Sequence, residues 1–310
     1  MKIVFMGTPV FAVRILESLI DHHHDICLVV TQPDKPVGRK KTLEHSPVKQ
    51  LALRHKISVF QPVNLKKEYQ TIVQLNPDLI ITAAYGQMLP NELLNQLTAI
   101  NVHGSLLPAY RGGAPIQHAL FDGLEETGVT IMYMAHAMDS GDIIKQEALP
   151  ILPNDNYQTL SHRLSHLGAH LLNDVLEDFQ KGLIIRKQQD NSKITYALTL
   201  KYQDEYLDFN QSASQVINRV RGLSPEPGAH TSIKSHTIKI YNLKKSDIID
   251  HTTPPGTILE VKKRLIVQTK DTPVEILELQ IPGKKKMQVK AFLNGQNIIQ
   301  MGDVFKGKEE

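Results

Sequence analysis

The sequence predicts an α/β domain built on a mostly parallel sheet, followed by a smaller all-β domain. Three observations carry this expectation. Over roughly the first 185 residues, short apolar runs alternate with helical patterns, as in "KIVFM", "VFAVRILESLI" and "ICLVVT". After residue 208 there is one helical segment, and then short strand-like runs follow one another without helices between them. The chain has 310 residues, more than one small core comfortably serves, so two domains are expected.

The elements follow in order. "KIVFM" reads as a strand and "VFAVRILESLI" as the helix after it; "ICLVVT" is the second strand. "SPVKQLALRH" reads as a helix with Ser46 as its N-cap and Pro47 at the first helical position. Then come "ISVF", a helix around "YQTIVQL", the strand "DLIITAA", a helix around "NELLNQL", and the strand "AINVH". Strands that are apolar almost throughout and alternate with helices imply a parallel sheet covered on both faces. "TGVTIMYMA" and "IIKQEALPI" add two strands joined by a short turn, and a long helix runs from about Tyr157 to Phe179. The first domain is thus expected over residues 1–185. Residues 186–208 are polar without clear periodicity and read as a linker. Residues 209–310 form the second domain, with the helix "SASQVINRVRGL" and the strand-like runs "HTIKIYNL", "GTILEV", "RLIVQT", "VEILELQI" and "MQVKAFL". Short strands punctuated by Pro, Gly and Lys suggest a small barrel or sandwich.

Composition excludes several classes. No uninterrupted apolar run approaches membrane-spanning length, and Gly7, Thr8, Pro9 and Arg14 break the run that superficially mimics a signal peptide. The single cysteine, Cys27, allows no intrachain disulfide and reads as a small apolar residue of a strand, so a reducing, cytoplasmic setting is expected. Residues 1–200 carry 18 Lys and Arg against 19 Asp and Glu, whereas residues 201–310 carry 17 against 13. This skew hints at a polyanionic partner for the C-terminal part.

Several motifs are tested and set aside. The first strand-to-helix turn, "FMGTPVF", has one glycine where a dinucleotide fingerprint needs three, and there is no P-loop. "DHHHD" places three adjacent His side chains on diverging directions. His162, His166 and His170 have a metal-compatible spacing, but they fall opposite the apolar stripe of Leu160, Leu164, Leu167, Leu171 and Val175, so a solvent face is expected. No metal site is expected.

Two features remain. The segment from Thr31 to Lys49, "TQPDKPVGRKKTLEHSPVK", follows the second strand, at the sheet edge where ligands bind. It is longer than a usual connection and rich in Lys and Arg. In "INVHGSLLPAYRGGAP", Asn101 and His103 alternate with Ile100 and Val102, so both polar side chains leave one face at the carboxyl end of a strand. "HAMDSGD" then supplies Asp139 and Asp142 in a later turn. An amide, an imidazole and a carboxylate, without an activated Ser or Cys, suit stabilisation of an oxyanion and movement of a proton. Ser105 lacks the Gly-x-Ser-x-Gly elbow of a hydrolase.

The run "NVHGSLLPAYRGGAPIQHAL", with "TGVTIMYM" and "MDSGD" after it, closely resembles the folate-dependent formyltransferases. "KIVFMGTPVFA", "VVTQPDKPVGR", "SPVK", "AAYGQMLP" and "RGLSPEPGA" are similar to blocks of the branch that formylates an aminoacyl-tRNA, so the resemblance covers most of the chain. It implies a Rossmann-like first domain, an OB-like β-barrel as the second, and formyl transfer from 10-formyltetrahydrofolate to the α-amine of initiator methionyl-tRNA, by a monomer and without metal. It implies catalytic roles for Asn101, His103 and Asp139. Folate contacts fall on Ser105, Leu106, Leu107 and Pro108, and tRNA contacts on Lys35, Arg39, Lys40 and Lys41. Lys40 stands where that pattern has a second Gly, Glu226 where an aromatic residue is common, and Met138 where Leu is usual. Formylation of a sugar-nucleotide amine and RNA binding without catalysis are the alternatives. The basic loop and basic C-terminal part weigh against the first, and the intact polar triad against the second.

Overall fold

The computed structural model describes residues 1–37, 42–250, 252–295 and 298–307. The chain divides into two compact units. One comprises Met1–Pro115, Glu126–Pro150 and Ser161–Leu198; the other comprises Ile116–Glu125, Ile151–Leu160 and Thr199–Glu310.

The elements run β1 (Lys2–Gly7), α1 (Val10–Asp21), β2 (Asp25–Val30), β3 (Lys35–Val37), β4 (Thr42–Glu44), α2 (Pro47–Arg54), β5 (Val59–Phe60), α3 (Leu65–Glu68), α4 (Gln70–Val73), β6 (Leu79–Ala83), α5 (Asn91–Leu94) and β7 (Ala99–His103). After these come α6 (Pro115–Phe121), β8 (Glu126–Tyr133), β9 (Ile143–Pro150) and α7 (Tyr157–Lys181). Among the described residues of the first unit, a seven-stranded sheet has the order β5-β2-β1-β6-β7-β8-β9. Strands β5, β2, β1, β6 and β7 are mutually parallel; β8 runs antiparallel to β7, and β9 antiparallel to β8. The expected mostly parallel sheet is therefore present. The order reverses between β1 and β6, and the carboxyl ends of β1, β6 and β7 meet at that switch, where open α/β sheets bind their ligands.

Alternation along the strands explains the layers. Val4, Met6, Val30, Ile80 and Ala99 bury one face beneath the single-turn helices α3, α4 and α5. On the other face α7 lies close enough that a methyl group on Gly168 would stand 2.9 Å from Val102 and near Val129 and Ile15. The stripes read on α7 hold, with Leu160, Leu164, Leu171 and Val175 buried and His162, His166 and His170 exposed, while Leu167 is half-buried. Ser46 caps α2, accepting from the Lys49 N–H at 3.1 Å. Cys27 is half-buried on β2, and burial pushes its thiol upward. Among the described residues, no helix is long and apolar enough to cross a membrane.

In the second unit, α8 (Ala213–Leu223), β10 (Ala229–Ile233), β11 (His236–Lys245), β12 (Ile258–Glu260), β13 (Leu265–Val267), β14 (Val274–Gln280), β15 (Met287–Gln288) and α9 (Val289–Leu293) follow. The antiparallel order is β10-β11-β14-β13-β12, with β15 on β14. Residues 302–306 then join its two ends. Lys306 exchanges backbone hydrogen bonds with Ser232 of β10, while Phe305 donates to Gly256 and Ile258 donates to Asp303 beside β12. The antiparallel sheet thus curls into a half-barrel bridged by isolated pairs, consistent with the expected OB-like domain. Inside it, Ile238, Ile240, Leu265, Val267 and Ile276 meet Val216, Val220 and Leu223 of α8. One expected strand is corrected: in "MQVKAFL" only Met287 and Gln288 are extended, and Val289–Leu293 is helical. Its Val289 and Phe292 are buried, three residues apart on one face of this single turn.

The long basic segment after β2 contains a ribbon. Lys35 pairs with Glu44 and Val37 with Thr42 across β3 and β4, and Lys35 is exposed. Arg39, Lys40 and Lys41 lie outside the described residues. The ribbon's base is tied by Asp34, which accepts from Lys49 Nζ at 2.7 Å, from Gln61 Nε2 at 2.8 Å and from His45 Nδ1 at 2.9 Å. Lys49 and then Gln61 hold the Asp34 carboxyl down to about 2, with a smaller contribution from His45. A carboxyl whose folded value is depressed stabilises the fold above its unfolded value and loses that contribution as pH falls through the folded one. We therefore expect Asp34→Asn to be less stable than the native chain at neutral pH. That difference should disappear as the pH is lowered from about 4 to about 2, which denaturant unfolding measured across this range will check.

Candidate active site

The site begins with the parity of β7. Ala99, Asn101 and His103 share a face, so the apolar layer that Ala99 helps build gives way to polar groups at the carboxyl end of the strand. Thr82 of β6 is the register partner of Asn101, and its hydroxyl donates to Asn101 Oδ1 at 2.7 Å. That bond occupies the acceptor end of the amide and turns Nδ2, the donor end, away from β6.

His103 is buried, with 5% of its surface exposed. Its Nε2 donates to the Tyr110 carbonyl at 2.9 Å, and its Nδ1 lies 3.7 Å from Asp139 Oδ2. The same Asp139 oxygen accepts the Gly112 N–H at 2.8 Å. Asp139 and Tyr110 both adopt left-handed backbone conformations, with φ of 48° and 60°, and Ala84 after β6 does so with 47°. Such conformations strain residues other than glycine and persist only where surrounding contacts hold them. Asp142, the other acidic residue of the turn, takes part through its carbonyl, which accepts from the Tyr133 N–H at 2.9 Å.

The Ser105–Pro108 turn leaves β7 directly beside this pair. Ser105 is buried, and its hydroxyl donates to the Ala109 carbonyl at 2.7 Å, closing the turn on itself. Thr130 of β8, the register partner of His103, donates to the Ser105 carbonyl at 2.6 Å and accepts the Leu107 N–H at 3.1 Å. Gln146 of β9 donates to the Leu107 carbonyl and to Thr130 Oγ1, both at 2.7 Å. Leaving a buried amide such as Leu107 N–H unpaired would cost about 1–3 kcal/mol, which is why a threonine stands at this buried position. Leu107 packs against Met132 and Ile143, and Leu106 lies over Gly128, where a methyl group would approach it to 2.5 Å. The half-buried Leu106 and Pro108 form the more open side of the turn.

The neighbouring loops close the edge. Thr8, after β1, donates to the Tyr85 carbonyl at 2.9 Å, and Gln32, after β2, donates to the same carbonyl at 3.2 Å. Lys35 stands farther along on the exposed ribbon.

Two buried residues here have no counterpart among the sequence-derived candidates. Gln189 is 6% exposed and Arg111 is 5% exposed. Gln189 Nε2 donates to the carbonyls of Asp139 at 2.8 Å and Gly141 at 2.7 Å, while its Oε1 accepts from Arg111 Nε at 3.1 Å and from the other guanidinium nitrogen at 2.7 Å. Gln189 belongs to a polar stretch without periodicity. The one signal for it in the sequence is a pair of glutamines, Gln188 and Gln189, among charged residues. Among the described residues, no group of His, Cys, Asp and Glu side chains is arranged to hold a metal.

An amide donor, an imidazole and a carboxylate converge at a sheet switch point, and comparison with known proteins gives that geometry a family. Residues 1–176 match the model of the formyl transferase family, and residues 199–297 match that of the formyl transferase C-terminal domain. The chain is 46% identical over 305 residues to a methionyl-tRNA formyltransferase of Staphylococcus aureus strain bovine RF122 / ET3-1, covering 96% of this chain and 97% of that protein. The enzyme of the same name from strain MW2 is 46% identical over 300 residues, covering 95% and 96%. Among solved structures, HypX from Aquifex aeolicus shares the fold with a TM-score of 0.68 at 17% identity; the match takes in 94% of this chain and 48% of HypX, about half its length. WlaRD, a sugar 3N-formyl transferase, shares it with a TM-score of 0.67 at 18% identity, over 92% of this chain and 99% of that one. Both family models and the near-complete alignment with the Staphylococcus aureus proteins show that the chain belongs to the formyltransferase family.

Proposed function

We propose that this chain transfers the formyl group of 10-formyltetrahydrofolate to the α-amine of methionine esterified to initiator tRNA, the step that prepares that tRNA for translation initiation in the cytoplasm. The observation that carries the reading is the 46% identity to methionyl-tRNA formyltransferases over nearly the whole of both chains, so that both units are covered. A folate donor agrees with the structural relatives: HypX has been solved with tetrahydrofolic acid and WlaRD with 5-N-formyl-THF.

The residues supply a complete path for the reaction. The neutral amine of the aminoacyl ester attacks the formyl carbon, and the carbonyl electrons move onto oxygen. Asn101 Nδ2, its orientation set by Thr82, donates to that oxyanion. Because the Tyr110 carbonyl requires a proton on Nε2, neutral His103 presents Nδ1 as an acceptor, and Nδ1 takes the proton of the attacking amine. The imidazolium formed faces Asp139, which offsets its charge. Collapse breaks the bond between the formyl carbon and the folate nitrogen. His103 returns the proton to that nitrogen, and tetrahydrofolate leaves. The Ser105–Pro108 turn, held from behind by Thr130 and Gln146, offers the flat folate ring a rigid apolar edge at Leu106 and Pro108. In the sequence, Lys35, Arg39, Lys40 and Lys41 are the cations this reading assigns to the tRNA.

The primary test is formylation of charged initiator and elongator tRNAs, with and without 10-formyltetrahydrofolate. A folate-dependent product on initiator methionyl-tRNA is expected; exclusive use of an amino sugar nucleotide would overturn the acceptor. Asn101→Ala and His103→Ala should each lower turnover by about a hundredfold or more while folate binding changes little. Near-native turnover by both folded variants would show the site is misplaced. Asp139→Asn should cut turnover and alter the pH–rate profile, whereas Asp142→Asn should do less.

The tRNA contacts are tested separately. Affinity should fall steeply with salt, as expected for a polyanion held by several cations. At fixed salt, Arg39→Ala should reduce initiator-over-elongator selectivity more than Lys285→Ala, a change on the exposed surface of the second unit. The reverse order would assign recognition to the second unit.

A further inference from the structure

We infer that Gln189 is a positioning residue for formyl transfer, setting the spacing between Asp139 and His103. The inference rests on the catalytic reading of those two residues. Its basis is the saturation of one buried amide. A glutamine side chain can donate twice and accept twice, and Gln189 does all four. Its two donors hold the carbonyls at either end of the turn Asp139-Ser140-Gly141. Its acceptor holds Arg111, which lies between Tyr110 and Gly112.

Those two segments are the ones that grip the imidazole. Tyr110 provides the carbonyl on His103 Nε2, and Asp139 provides the carboxylate facing Nδ1. Gly112 links the segments a second time through its N–H on Asp139 Oδ2. Asp139 holds its carboxylate in place from a left-handed backbone conformation, which needs outside support. At its other end the turn packs tightly on the end of β8: a methyl group on Gly141 would stand 1.9 Å from the Tyr133 carbonyl. Gln189 is itself fixed from below, because Lys187 exchanges backbone hydrogen bonds with Ile143 at the start of β9. Released from Gln189, the Asp139 turn would shift relative to His103. Displacements on the order of 1 Å in a catalytic pair can cost about a hundredfold in rate.

The test uses Gln189→Glu in the full chain. A glutamate keeps the acceptor for Arg111, so the buried guanidinium stays paired, but it loses both donors to the turn. Turnover should fall by about tenfold or more, the pH–rate profile should shift, and KM for folate and tRNA should stay within about twofold. The same substitution should cause less than about a twofold further loss in an Asp139→Asn background, because the residue being positioned is already disabled. Equal fold-losses in both backgrounds, or native turnover and pH profile in Gln189→Glu while Asp139→Asn is impaired, would overturn the inference. Native turnover in Asp139→Asn alone would instead overturn the catalytic reading on which it rests. If Gln189→Glu does not fold, Gln189→Asn replaces it: the shorter amide cannot span both carbonyls, and the same two comparisons decide.

Discussion

The hydrogen bond from His103 Nε2 to the Tyr110 carbonyl is the constraint on which the site depends. A carbonyl oxygen only accepts, so this contact requires the proton on Nε2 and leaves Nδ1 facing the Asp139 carboxylate. The position of that carbonyl is expensive in conformational terms. Tyr110 must adopt a left-handed backbone, and the Ser105–Ala109 turn must fold tightly enough to deliver it. The buried Thr130, Arg111 and Gln189 and the half-buried Gln146 meet this cost, each bonded to backbone groups of the loops or to one another. The antiparallel direction of β8 matters here: it brings Thr130 beside His103, where a continued parallel strand would present a different residue.

Much of this could be read in the sequence, and the parts that could not have definite physical reasons. Period-two alternation placed Asn101 and His103 on one face, and the Ser46-Pro47 signature placed the start of α2, because both signals are local. The stripes of α7 were legible for the same reason. The ribbon β3–β4 was not, since strands of three residues are too short to show an alternation of apolar and polar residues. The left-handed conformation of Asp139 was invisible because no glycine marks it. Arg111 and Gln189 stand 78 positions apart, and nothing in either neighbourhood announces that they meet. Charge counting along the loop after β2 was also incomplete. Lys49 and Asp34 contribute to its apparent polarity, but they are consumed by one another at its base, so neither is offered to a partner. The short run at Val289–Leu293 failed for a different reason: five residues are too few for apolar spacing to separate helix from strand.

The curled sheet of the second unit takes its last backbone partners from a distant part of the chain. Its first strand, β10, finds its final neighbour in residues 302–306; Thr231 and Lys306, which share a hydrogen bond, are 75 positions apart. Until those last residues are available, β10 and β12 are both open edges, each with a row of unsatisfied amides and carbonyls able to pair with another chain. Closing a loop of that length costs entropy before it returns any contact energy. Residues 302–306 thus satisfy both edges together, and their displacement would expose two strand edges at once.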